Sequence, residues 1–312
     1  MNKSEIFKPI SCPICNTKDT ELISQKGQFG LPCFVSICPN DGLVFLSPRW
    51  SKERYMRFYE NEFYSYYRPA DLSDKISDSH YSSIKKICVR LEQLDLLKKR
   101  ESVLDIGAGM GWSLQWLKEN YAHFKRFSAI ESSTHCIANL RNVIGATIVS
   151  EDIDSQWQST GFDLVIMRHV LEHFMHPVEA LKKVEEDLSP HGIIYIAVPD
   201  MMNPKGSLKN FWFSAAHTFY FSLMTLTSIA SKAHLSPIKI TSENSELWGI
   251  FTKTSNKIQR INITNVYDKQ MEIIRCRQRK DIIFNAYYTI KNLLLPKKVR
   301  SWLKKQYRKI VA

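Results

Sequence analysis

The sequence predicts an α/β protein built on a doubly wound, mostly parallel sheet. Three observations carry that prediction. Val103-Leu104-Asp105-Ile106-Gly107-Ala108-Gly109-Met110-Gly111 reads as an apolar strand ending in an acid and a glycine-rich turn, and Trp112 to Asn120 continues as a helix. Apolar runs and helical segments then alternate from 101 to 200, which implies parallel strands joined by helical crossovers. With 312 residues, 44% hydrophobic and 24% charged, the chain has material for a full core.

The elements follow in chain order. Residues 1–50 are punctuated by cysteine, proline and glycine, so a small β-rich, zinc-ribbon-like module is expected there. Cys12-Pro13-Ile14-Cys15 is a zinc-knuckle-like turn, and a second turn is Cys38-Pro39-Asn40-Asp41-Gly42. In a two-knuckle ribbon the second turn reads Cys-Pro-x-Cys-Gly, so Asp41 stands at the fourth ligand position. A carboxylate can bind zinc, and Cys33, five residues before Cys38, is the alternative ligand. The expected structural zinc set is Cys12, Cys15, Cys38 and Asp41; a metal-free remnant is the bland reading.

Residues 51–100 are polar and aromatic, then helical, a linker or lid. Ile84, Ile87, Leu91, Leu94 and Leu97 recur at helical spacing. Tyr59, Tyr64, Tyr66 and Tyr67 are candidates for a cover over an acceptor, with helix packing as the alternative. Over 101–256 the expected strands are Ser102–Ile106, Phe127–Glu131, Thr147–Ser150, Phe162–Met167 and Ile193–Val198, with helices at 112–120, 133–144 and 177–188. Pro177 suits a first helical turn and Pro190 marks a stop. Leu223 to Ala233 reads as a helix, and Ile238–Thr241 and Leu247–Thr252 as two closing strands.

The dinucleotide fingerprint G-x-G-x-x-G needs glycine where Trp112 stands; this chain has Asp-x-Gly-x-Gly-x-Gly instead. Glu131, 20 residues after Gly111, ends the second strand, where an acid can accept from both ribose hydroxyls of a nucleotide. Asp152 follows the third strand and can accept from an adenine amino group. Phe162 to Met167 then runs through Arg168-His169-Val170-Leu171-Glu172-His173, Pro177, Leu188-Ser189-Pro190-His191-Gly192 and Val198-Pro199. This order resembles class I S-adenosylmethionine-dependent methyltransferases over about residues 100–252, with His191 replacing the first glycine of their Pro-Gly-Gly turn. The resemblance implies a seven-stranded sheet. Asp105, Gly107, Gly109 and Gly111 would hold the methionine part of S-adenosylmethionine, Glu131 the ribose and Asp152 the adenine, with His169 beside them.

The order of cysteine module, Tyr-rich segment and methyltransferase unit is similar to methyltransferases of sugar and surface-polysaccharide pathways. The implied acceptor is a sugar, nucleotide-sugar or glycan hydroxyl. A hydroxyl ionises poorly, so a base is needed. His217, in Ser214-Ala215-Ala216-His217-Thr218-Phe219-Tyr220, is similar to a histidine that faces the acceptor in such enzymes; His169 is a second candidate, and His173 reads as structural. Ala216 stands where the C-methylating branch has glutamate, against C-methylation. Phe211, Trp212, Phe213, Phe219, Tyr220 and Phe221 fit either an acceptor pocket or core.

Charge separates the tail from the body. Residues 257–312 hold 15 Lys/Arg against 3 Asp/Glu, an excess equal to the whole net charge of +12. Pro296 to Ile310 reads as an amphipathic basic helix suited to an anionic membrane surface; a solvated helix docked on the body and nucleic-acid binding are the alternatives. The neutral body argues against nucleic acid as the partner. Seven cysteines with a Cys-x-x-Cys pair fit a reducing compartment, and no signal-peptide pattern is seen, so a cytoplasmic protein, peripheral on the membrane at most, is expected. The rival readings are an O-methyltransferase of a quinone precursor or another small molecule, and a nucleic-acid-binding protein with a degenerate methyltransferase core.

Overall fold

The structure, a computed structural model, describes residues 7–63, 66, 78–155, 157, 159–254 and 265–294, with helix side chains 78–81 and 283–294 outside the description. The first fifty residues form β1 (Phe7–Lys8), β2 (Glu21–Lys26), β3 (Pro32–Ile37), β4 (Val44–Leu46) and β5 (Arg49–Trp50). α1 (Lys52–Asn61) starts where the Ser51 side chain accepts from the Arg54 amide. α2 (Asp78–Glu92) leads into the main sheet.

The alternating unit follows as β6 (Ser102–Ile106), α3 (Trp112–Asn120), β7 (Arg126–Ile130), α4 (Thr134–Asn139), β8 (Thr147–Ser150), β9 (Phe162–Arg168), α5 (Pro177–Asp187) and β10 (Leu188–Pro199). β11 (Phe219–Tyr220), α6 (Leu223–Lys232), β12 (Leu235–Glu243), β13 (Glu246–Lys253) and α7 (Val266–Leu294) complete it.

The seven-stranded sheet has the order β12-β13-β10-β9-β6-β7-β8. It is parallel from β10 to β8, and β13 pairs antiparallel with β10 and β12. The doubly wound, class I methyltransferase sheet expected from the sequence is thus present. β6 lies between β7 and β9, so the chain reverses direction across the sheet there. Ligands of open α/β sheets bind at the carboxyl ends of the strands at such a switch point.

The period-2 alternation of β6 assigns each face. Leu104 and Ile106 join Val178, Leu181 and Val184 of α5 and Leu226 and Ile229 of α6 in one core. Val103 joins Ile87 and Leu91 of α2 and Leu114 and Leu117 of α3 in the other.

Differences from expectation are local. The helix expected over 133–144 is α-helical only to Asn139 and continues as a π-turn over Leu140–Ile144, ended by Gly145 at φ +74°. The helix expected to 188 stops at Asp187, and Pro190 lies inside the bulged start of β10, where the register shifts between Leu188 and Ile193. β7 starts and ends one residue before the expected strand.

The N-terminal sheet, of order β11-β4-β3-β2, takes a strand from residues 219–220. Cys12, Cys38, Leu43 and Phe45 lie in the same apolar core as Leu104 and Ile106. The cysteine layer is therefore fused to the sheet, and Arg49 ties it down by donating to the Met175 carbonyl at 2.7 Å. α7 buries Val266, Met271 and Ile274. Met271 and Ile274 pack on Val35 and Ile37. Among the described residues no helix is long and apolar enough to cross a membrane. The basic helix expected at 296–310 lies outside the described residues.

Candidate active site

The glycine turn is built by backbone conformations that L side chains rarely adopt. Gly107, Gly109 and Gly111 have φ of +70°, +54° and +79°. A Cβ on Gly107 would meet Val170 Cγ2 at 2.8 Å, and one on Gly111 would meet Leu140 Cδ2 at 2.6 Å. Those two glycines permit close packing. At Gly109 nothing lies within 4 Å of a Cβ position, so this residue borders open space. Asn139 steadies the turn by donating to the Met110 carbonyl at 2.8 Å.

Two acids converge on this turn. The Glu131 carboxylate accepts from the amides of Gly109 (2.7 Å), Ser132 (2.9 Å) and Ser133 (2.9 Å). Asp105 sits at the end of β6 and is buried. Burial and the Glu131 charge push its carboxyl up to about 7, while a hydrogen bond from Ser113 and the Arg168 charge pull it down. Asp152 is half exposed, pairs with Lys52 at 3.5 Å and accepts from the Asp154 amide at 2.9 Å.

Beside the turn, the segment after β9 builds a second constellation. His169 has φ +52° and its amide donates to the Ala197 carbonyl at 2.7 Å. Its Nε2 lies 3.1 Å from Glu246 Oε2 and its Nδ1 3.6 Å from Glu172 Oε1. Crowding by protein alone would lower its pKa, but the two carboxylates outweigh that and hold the ring charged, up to about 9. Glu246 in turn is bound by Arg90 Nη1 at 3.1 Å, and Arg90 Nη1 also donates to Tyr195 Oη at 2.6 Å.

Leu171–His173 form a single 3₁₀ turn. Its anchor is Thr218, whose amide donates to the Glu172 carbonyl at 2.8 Å and whose hydroxyl donates between the Phe174 and Glu172 carbonyls, at 2.6 and 2.9 Å. His173 Nδ1 lies 3.0 Å from both the Ala216 carbonyl and Tyr59 Oη. The rings of His173 and His217 meet edge to face at 4.9 Å. Burial, with the nearby His169 charge, pushes His217 down to about 3, so its imidazole is neutral. Burial would raise Glu172, but the charged His169 holds it below the usual carboxylate range.

The aromatic segment is core: Trp212, Phe213, Phe219, Tyr220 and Phe221 are buried, and Phe211 is exposed. Of the two readings the sequence leaves open, burial fits core for these five. Tyr66 packs on Phe29, and Tyr64 and Tyr67 lie outside the described residues. Sequence reasoning missed Glu246 and Arg90, which come from distant elements with no local motif. For Tyr59, a cover or helix packing is expected from the sequence, and its bond to His173 has no local signal.

The cysteine layer brings Cys12, Cys15, Cys38 and Asp41 within 4.8 Å of one another by their ligating atoms. Two matching turns hold them: Asn16 N donates to Cys12 O at 2.8 Å and Gly42 N to Cys38 O at 2.9 Å. Cys12 Sγ is 3.1 Å from Asp41 Oδ2, and Cys15 Sγ is 3.4 Å from Cys38 Sγ. Three thiols and a carboxylate so crowded and largely buried fit a tetrahedral Zn²⁺ set, since an ion offsets the cost of their charge. Cys33, the alternative ligand, lies elsewhere in the core with Tyr220 and Phe213, where burial pushes its thiol up to about 12. The alternative is thereby removed: β3 places that side chain in the apolar layer.

The model of a family described as a methyltransferase domain matches residues 80–240, a little over half of the chain. No curated protein matches it in sequence. Among solved structures, it is similar to the 1,6-didemethyltoxoflavin-N1-methyltransferase of Burkholderia thailandensis, which holds 1,6-didemethyltoxoflavin and S-adenosylhomocysteine. That likeness has a TM-score of 0.52 at 17% identity and covers 68% of this chain and 96% of that one. The PH0226 protein of Pyrococcus horikoshii is 19% identical, with a TM-score of 0.47, covering 62% and 99%. An S-adenosylmethionine-dependent methyltransferase of Clostridium acetobutylicum is 12% identical, with a TM-score of 0.46, covering 65% and 100%. At these identities the likeness is one of fold.

Proposed function

The chain belongs to the methyltransferase-domain family that matches residues 80–240, and from that premise we propose that it methylates a hydroxyl of a sugar, nucleotide-sugar or glycan intermediate in surface-polysaccharide synthesis. When bound, S-adenosylmethionine supplies a methyl group already made electrophilic by its sulfonium. The open space at Gly109, bordered by Asp105 and Glu131, fits the methionine and ribose parts. Asp152, which follows β8, is assigned to the adenine amino group.

The observation that carries the hydroxyl reading is the cluster of Glu172, His173 and His217 beside that turn. A thiol or an ionised phenol needs no such group, whereas a sugar hydroxyl must lose a proton as it attacks. His217 is the side chain assigned to that proton. His169 has both ring nitrogens facing carboxylates and is charged, so its expected place as a second base is replaced by a positioning role between β9 and β13. Tyr59, bonded to His173, walls the acceptor side from α1. A structural zinc ion is assigned to Cys12, Cys15, Cys38 and Asp41 of the fused cysteine layer.

The test is mass spectrometry of cell-surface glycans with and without the gene. Loss of one methyl group per repeat supports the reading; unchanged glycans with normal expression contradict it. Peripheral membrane contact through the basic tail would bring the enzyme to lipid-linked acceptors. Flotation with anionic liposomes, comparing the full chain with one ending at Thr254, tests that contact, and equal binding by both would end it.

A further inference from the structure

We propose that Glu172, His173 and His217 form a binding site for a divalent transition-metal ion, separate from the cysteine set, that engages the acceptor hydroxyl. One ligand atom from each residue lies within 4.8 Å of the others. Glu172 is only 1% exposed, yet neither carboxylate oxygen has a hydrogen-bond partner. The charged His169 pairs with it through Nδ1 at 3.6 Å from Oε1. A carboxylate buried without hydrogen bonds is still costly, and a second cation bound directly offsets that cost.

The surrounding bonds suit ligation. The Ala216 carbonyl can only accept, so at 3.0 Å it holds the His173 proton on Nδ1. Metal-bound histidines commonly donate their other ring N–H to a backbone carbonyl in this way. The Thr218 amide and hydroxyl, bonded to the Glu172 and Phe174 carbonyls, fix the turn from which both Glu172 and His173 project. Two imidazoles and one carboxylate suit zinc or iron(II), and three protein ligands leave positions open for another oxygen.

An acceptor hydroxyl bound there ionises more readily. Its O–H bond breaks, the electron pair stays on oxygen, and the proton passes to water. The inference rests on the acceptor-site reading above and changes the group that lowers the barrier: His217 acts as ligand, and the ion replaces the free base.

Cobalt(II) titration of the full chain, followed by absorption, separates the two metal sites. The wild type should bind two equivalents, one with thiolate charge-transfer absorption and one with weak ligand-field bands only. E172Q and H217Q should lose the second equivalent alone, and C12S should lose the thiolate band alone. Unchanged S-adenosylhomocysteine affinity in E172Q and H217Q shows that the fold survives. A wild type without the second equivalent, or both E172Q and H217Q retaining it, overturns the proposal. Either result leaves the glycan experiment free to stand or fall separately.

Discussion

Three glycines and two acids make separate contributions at the residue scale, and substitutions separate them. Gly111→Ala sets a Cβ 2.6 Å from Leu140 Cδ2 at φ +79°, so it should destabilise the fold by about 1–3 kcal/mol, read as a lower melting temperature. Gly109→Ala meets no atom within 4 Å and should cost only about 1–2 kcal/mol of backbone strain, yet it fills the cofactor space and should weaken S-adenosylhomocysteine binding far more than stability. Asp105 adds a pH dependence. Its folded value of about 7 lies above its ordinary 3.8, so the folded protein binds the extra proton. The stability this provides is full below about 3.8 and is lost as pH rises to about 7. Relative to D105N, the ligand-free protein should therefore lose stability across that window. Affinity for cationic S-adenosylmethionine should instead rise over the same range, as the carboxylate forms, and D105N should flatten that rise. A pH-independent affinity in the wild type would contradict this. His217→Gln should lower turnover by about 10²–10⁴-fold with nucleotide affinity unchanged.

Elements that follow a local period were legible in the sequence. β6, α3 and β8 have the expected limits because an apolar run, a glycine turn and a helix are local signals. The π-turn after α4 was not legible, because the helical pattern continues unbroken through Leu140 and Ile144. β11 was equally hidden: Phe219 and Tyr220 read as an aromatic cluster, and only pairing with Phe45 and Val44 makes them a strand. The same limit applies to the site. Asp105, Glu131 and the glycines sit on one βαβ unit and were readable together, whereas the network of Arg90, Glu246 and His169 joins α2, β13 and the turn after β9 through contacts that no spacing encodes. α7 belongs to this scale too. Met271 and Ile274 pack under the N-terminal sheet, so Ile274→Ala should cost about 2–5 kcal/mol of unfolding free energy, measurable by denaturant titration. A neutral result would mean that the helix is not docked there.

Across the whole molecule, the four-stranded and seven-stranded sheets share one core. Cys12 and Cys38 lie in the core that also holds Leu104 and Ile106, so chelation should act on the catalytic fold as well as on the first fifty residues. Removal of zinc should lower the melting temperature of the full chain in a single cooperative transition; an unchanged transition would contradict a structural ion. The charge excess of the tail and the neutrality of the body likewise separate any surface attachment from catalysis. The central claim is that the crevice between β6, β7 and β9 holds an adenosyl cofactor, and calorimetry with S-adenosylhomocysteine tests it most directly. The account predicts one site per chain, with affinity reduced by roughly 10–100-fold in E131A, whose lost carboxylate would otherwise make charged hydrogen bonds of about 1.5–3 kcal/mol. No heat of binding to the folded wild type, or equal affinity in E131A, would contradict it.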